Sequence, residues 1–259
     1  MSDTAVRHRP LWTARPLRRR GPAVRTARAL LTWFAPIVGI YLAILLVATV
    51  AVPFLVGAVG DVRYSNLWFA RQSAVWFPFS VLIGVAMTYP PVHLANGMTR
   101  RSYVRGSLLA VTALAAGLAG ALTLGLLAER TWYHAMGWTW QLAEGWFAPA
   151  EGLPTVLAAF LATFVVAYIS GLLVGTVYAA AGGWWGTLTL PLTAGPIVLV
   201  SILVDNEHDW VPFSHLFGTS PSGGTPLALV ATAAVVLALA LAAAFRAVAT
   251  RRPVPPRRG

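Results

Sequence analysis

The chain has 259 residues, of which 58% are hydrophobic and only 10% charged, with a mean hydropathy of +0.70. A soluble domain carries about 25% charged residues, so a water-soluble globular fold is excluded at the outset. The net charge of +11 comes wholly from arginine, because lysine and cysteine are both absent, and this excludes disulfides, thiolate metal sites, cysteine nucleophiles and a lysine-dependent phosphate loop.

Residues 1–20 mix arginine, proline and polar residues without periodicity, which predicts a disordered, arginine-rich cytoplasmic tail. Over 21–34, Val24, Ala27, Leu30, Leu31 and Phe34 form an apolar stripe from which Arg25 and Arg28 are offset. That pattern predicts an amphipathic helix lying in the headgroup layer, and it also suits an N-terminal extension of the next segment. Signal peptides have short basic regions and apolar cores of about 7–15 residues, whereas here both are longer, so the first span is expected to be retained.

Six apolar stretches follow, at about 35–57, 72–90, 107–127, 155–178, 187–204 and 227–245. About 20 helical residues cross ~30 Å of hydrocarbon, so the expected fold is all-α: a polytopic membrane protein with six transmembrane helices over 35–247 and a C-terminal tail at 248–259. Pro36, Pro53, Pro78, Pro191 and Pro196 fall within spans, and the last two mark the fifth span as the one to bend. Neighbouring helices are expected to satisfy the carbonyls these prolines free. Gly117, Ala121 and Gly125 in the third span, and Gly171 and Gly175 in the fourth, suit close helix packing inside the subunit or a dimer seam.

The connection 128–154 holds Trp132, Tyr133, Trp138, Trp140, Trp146 and Phe147, which suits short helices at the outer membrane surface or the lining of a substrate exit. The fourth and fifth spans are joined by little more than AGGWWG, which predicts a tight antiparallel pair with Trp184 and Trp185 at the interface. In DNEHDWVPFSH, the residues Asp205, Glu207, His208, Asp209 and His215 match no zinc spacing, and a solvated acidic loop is expected.

Sixteen of the nineteen arginines lie in the N-terminal 34 residues, the 91–106 connection and the stretch from Arg246 onward. The other connections hold Asp61, Glu129, Glu144, Glu151, Asp205, Glu207 and Asp209, with only Arg63, Arg71 and Arg130. Arginine near span ends is retained in the cytoplasm, so both termini and the 91–106 connection are expected there, in a multi-pass protein of the cell membrane. These arginines flank spans, so orientation and the lipid bilayer account for them, and no nucleic-acid partner is expected.

The sequence has no HExxH or GxSxG motif, and the spans hold no charged residue near their middles. No catalytic residue, metal or cofactor is expected. The 91–106 connection is more informative. Pro90 and Pro91 are expected to stop the second span, Asn96-Gly97 to turn, and Thr99 to cap a new helix that carries Arg100, Arg101, Tyr103 and Arg105. On charge alone these arginines simply fix the cytoplasmic end of a span.

The segment Asn96, Gly97, Met98, Thr99, Arg100, Arg101, Ser102, Tyr103, Val104, Arg105, Gly106 resembles a pattern between spans two and three of the permease subunits of type-2 ABC exporters. The resemblance implies that Asn96, Gly97, Met98, Thr99, Arg100, Arg101, Tyr103, Arg105 and Gly106 couple the permease to a separate cytoplasmic ATPase subunit. It implies arginines paired with acidic residues of that subunit and Tyr103 in an apolar notch on it. It also implies a second permease copy or a related permease, and ATP hydrolysis on the partner rather than on this chain. The alternatives are a non-transporting membrane scaffold or immunity-type protein, and an ATP-independent carrier.

Overall fold

The computed structural model describes residues 21–142, 152–204 and 227–251. The described elements are α1 (Pro22–Gly57), α2 (Asn66–Ala95), α3 (Arg100–Ala135), α4 (Leu153–Leu188), α5 (Leu190–Thr193), α6 (Gly195–Val204) and α7 (Leu227–Arg251). Five of these, α1–α4 and α7, are long and apolar enough to cross a membrane. Large apolar side chains cover their outward faces: Ile40, Ile44, Leu46, Val47 and Leu55 on α1, and Val235, Val236 and Leu239 on α7, are each more than half exposed. Such continuous apolar faces suit hydrocarbon rather than water. The expected tail at 1–20 lies outside the described residues, as do Trp146, Phe147 and the 205–215 segment; of the tail expected at 248–259, residues 248–251 instead continue α7 and the rest lies outside the described residues.

α4 is the central helix. Its Phe160, Phe164 and Tyr168 recur every four residues and are fully buried, with successive ring centroids 5.7 and 5.9 Å apart and nearly parallel planes. Gly171 and Gly175 continue this face. A Cβ on Gly171 would stand 2.7 Å from the Phe79 carbonyl oxygen, and one on Gly175 would collide with the Ile83 carbonyl. The two glycines thus bring α2 and α4 together in parallel, as small residues at a four-residue spacing do. The third-span stripe behaves differently: a Cβ on Gly125 would meet Leu67 of α2 at 2.5 Å, but one on Gly117 would meet nothing within 4 Å.

Pro78 inside α2 has no N–H to offer the carbonyl of Ala74, one turn earlier. The Tyr168 hydroxyl of α4 donates to that carbonyl at 2.8 Å. A neighbouring helix therefore satisfies the group that the proline frees, in the manner expected of a helix bundle.

The start of α2 is held in a related way. Glu129, buried near the end of α3, accepts from the Asn66 and Leu67 amides at 2.9 and 3.0 Å, and also from the Ser65 hydroxyl. Ser65 in turn accepts from the Trp68 amide at 3.1 Å as the N-cap. The carboxylate thus meets the positive end of the α2 dipole and its otherwise unpaired N–H groups. The Trp140 indole N–H donates to Glu129 at 3.4 Å, and the Ser65 amide donates to the Gln141 carbonyl at 2.8 Å, so the chain after α3 folds back over this cap.

Four local expectations change. First, residues 21–34 are not a separate helix: α1 runs unbroken from Pro22 through Pro36, because Ala27, Leu30 and Phe34 pack into the same core as the rest of it. Second, Pro90 and Pro91 do not stop α2, which continues to Ala95. Third, the first part of the 128–154 connection is not a separate short helix, since α3 extends to Ala135. Fourth, the stretch 187–204 is not one helix. The chain turns at Gly182, whose φ of +83° suits glycine, and Tyr178 then meets Thr187 with their hydroxyl oxygens 3.0 Å apart. Nine residues of straight helix would separate them by about 13 Å, so the chain has folded back. Pro196 has no N–H for the Leu192 carbonyl and its ring crowds it, which divides α5 from α6. α6 has ten residues, about half a membrane crossing, and packs on α4, with Ile197 and Val200 buried in the core.

Two measurements check this frame by thermal unfolding in a mild detergent. Tyr168→Phe is expected to cost about 1–3 kcal/mol by leaving the Ala74 carbonyl unpaired, and much less in a Pro78→Ala background, where residue 78 supplies its own N–H. Glu129→Ala is expected to cost about 3 kcal/mol, with Glu129→Gln in between because an amide oxygen still accepts from the α2 amides.

Candidate functional site

The connection between α2 and α3 is short, with residues 96–99 alone lying outside the two helices. Asn96 ends α2, and Gly97 turns the chain at φ +73°. Thr99 starts α3 as expected: its hydroxyl accepts from the Ser102 amide at 3.1 Å. The Ser102 hydroxyl donates to the Thr99 carbonyl at 2.7 Å and lies 3.1 Å from Nε2 of buried His93. The cap of α3 is thereby tied to the last turn of α2.

The residues singled out in the sequence separate into two groups. Tyr103 does not face outward: it is 3% exposed, and its ring packs among those of Tyr89, His93 and Phe245, with centroids 5.7–6.2 Å apart. Burial inside the chain leaves it no surface to insert into a partner. Gly106 is also internal, since a Cβ there would stand 2.8 Å from the Ala23 carbonyl and 2.7 Å from a Thr26 carbon. It is a point of close approach between α3 and α1. Arg100 is half-buried and donates from Nη1 to the Thr250 carbonyl at 2.9 Å. That carbonyl lies in the last turn of α7, where backbone acceptors have no partner within the helix and a cation is favoured. Arg101 and Arg105, in contrast, are exposed and four residues apart, so they share one face of α3. Asn96, Gly97 and Thr99 are exposed beside them, and Met98 is half-buried.

These contacts also fix where the helix ends lie. Gly106 against Thr26 brings the start of α1 to the start of α3, and Arg100 on Thr250 brings the end of α7 to the same place. Arg25, Arg28, Arg100, Arg101, Arg105, Arg246 and Arg251 therefore gather at one end of the bundle. Both described acidic residues, Asp61 and Glu129, stand at the opposite end, where Asp61 pairs with Arg63 at 2.8 Å. Among the described residues, the charge partition read along the sequence is thus a spatial one.

Three participants were not evident from sequence. His93 and Ser102 carry no motif, although a histidine within an apolar turn hints at a buried role. Thr250 contributes only its carbonyl, for which a side-chain pattern gives no signal.

No known protein family matches this sequence, and no curated protein or solved structure matches it either. The class is defined by the helices themselves: this is a multi-pass α-helical membrane protein.

The division of the hairpin predicts opposite behaviour for adjacent residues. Tyr103→Ala is expected to destabilise the protein by about 3–5 kcal/mol, as for other large buried rings. Arg101→Glu and Arg105→Glu are expected to change its thermal midpoint little, since both side chains are exposed. Unfolding curves of the purified variants check both.

Proposed function

We propose that the chain is the membrane-spanning permease subunit of an ATP-driven exporter of the ABC type, and that the α2–α3 hairpin is its contact with a separate cytoplasmic ATPase subunit. The observation that carries the reading is the exposed pair Arg101 and Arg105 on a hairpin that Arg100, Tyr103 and Gly106 fix to the bundle. An ATPase surface bearing acidic groups would pair with these two arginines. Arg100 would pass a push on the hairpin to α7, and Gly106 would pass it to α1. ATP is hydrolysed on the partner subunit.

In this reading the arginine-rich end faces the cytoplasm of the cell, with both termini on that side. The folded-back stretch from Gly183 through α5 and α6 makes a sixth, broken pass between α4 and α7. Two permease copies enclose the pathway between them, because the interior of one copy is filled by Phe160, Phe164, Tyr168 and Leu172. The same filled interior favours the second reading, a membrane scaffold or immunity-type protein that transports nothing.

A tagged pull-down from mild detergent, with mass spectrometry of the captured proteins, separates the two. The exporter reading expects a soluble protein with a phosphate-loop motif, lost with Arg101→Glu plus Arg105→Glu while the folded permease is still recovered. Capture of no ATPase, under conditions in which a known permease retains its own, would sink the exporter reading.

A further inference from the structure

A cavity of about 310 Å³ lies between α1 and α3. It arises where α3 presents little side-chain volume, at Ala121 and Gly125, to Leu46 and Val50 of α1, with Leu122 also in its wall and Trp132 at one end. Trp132 is capped in turn by Phe54, at 6.0 Å between ring centroids. Glu129 is the charged residue of the wall, but its Oε1 already receives the Asn66 and Leu67 amides and its Oε2 the Ser65 hydroxyl and the Trp140 indole. That carboxylate is therefore committed to the start of α2 and presents nothing for a polar or cationic guest. Thr49 adds one hydroxyl to the wall, and the remaining lining residues are apolar, so the space calls for a largely apolar occupant.

The rim says where that occupant comes from. Leu46 and Val50 line the cavity and are also exposed on the outward apolar face of α1, so the cavity is continuous with the surface that meets the bilayer. An apolar cavity of about 150 Å³ takes up benzene, so this one accommodates roughly a dozen carbons. We infer that the groove between α1 and α3 is a binding site for one acyl chain of a bilayer phospholipid, seated along Ala121 and Gly125 with its headgroup end toward Trp132. The inference stands apart from the exporter reading, since it rests on α1 and α3 at membrane depth and not on the hairpin.

The test uses the full chain in vesicles containing phosphatidylcholine that bears a photoactivatable diazirine in one acyl chain, with labelled residues located by mass spectrometry. Labelling is expected to concentrate on residues 42–50 of α1 and 121–132 of α3, above the level on the exposed α7 face around Val236 and Leu239. Ala121→Phe, which fills the groove, is expected to lower the α1–α3 labelling about tenfold, the equivalent of losing contact with fewer than two methylene groups, and to leave the α7 labelling unchanged. Thr49→Leu fills the same space from α1 and gives an independent result where Ala121→Phe fails to fold. Labelling of α1 and α3 no stronger than that of α7, or unaffected by either folded variant, would overturn the site.

Discussion

Lipid cannot hydrogen-bond to a backbone, and the arrangement of this bundle follows from that constraint. Each helix end and each proline leaves N–H or C=O groups with no partner inside the helix, and hydrocarbon offers none. In this chain other parts of the fold supply the missing partners. Glu129 of α3 receives the first amides of α2, Thr99 receives Ser102 at the start of α3, Arg100 reaches the last turn of α7, and Tyr168 of α4 reaches the Ala74 carbonyl freed by Pro78. Three of these four contacts join different helices. The requirement to pair backbone groups therefore also fixes which helices are neighbours and at what register.

Packing completes what the polar contacts begin, and it does so unevenly. Gly171 and Gly175 press α4 onto α2 until backbone carbonyls fill the space where side chains would be. The similar stripe on α3 brings only Gly125 into tight contact, with Leu67, while Ala121 faces open space beside α1. Whether a small residue closes a gap or leaves one depends on the size of what faces it. Across from Gly175 lies a bare turn of α2, whereas across from Ala121 the side chains of α1 stand away from α3. The same sequence pattern thus gives a close seam in one place and a cavity in the other.

Much of this was legible in the sequence, because hydropathy and charge act over long stretches. The apolar runs give five membrane-length helices, the Asn96-Gly97 turn and the Thr99 cap fall where local chemistry predicts, and seven of the described arginines gather at one end of the bundle. What could not be read was set by tertiary contact. Pro90 and Pro91 read as a stop, yet α2 runs on for a full turn, and its continuation carries His93 into the pocket with Tyr103 and Ser102. Glu129 reads as one more acidic residue near a membrane surface, and its capping role exists only because α2 begins beside it. Tyr103 reads as a surface aromatic between arginines, but the helical turn that exposes Arg101 and Arg105 directs it inward against Phe245.

That last division bears on how the hairpin would work in the proposed exporter. A surface that transmits force needs groups that face a partner and groups that fix them to the moving body, and both cannot be the same side chain. Here the two exposed arginines lie within a few residues of three internal attachments: Arg100 to α7, Tyr103 to the α2 end, and Gly106 to α1. Displacing the hairpin would therefore disturb three helices at once rather than bend a loose loop. α1 and α7 are also the two helices most exposed on their outer faces, so they have fewer protein neighbours to resist such a movement than the buried α4. In the proposed exporter this asymmetry between a buried centre and lipid-facing flanks would let a load on the basic end act on α1 and α7 first.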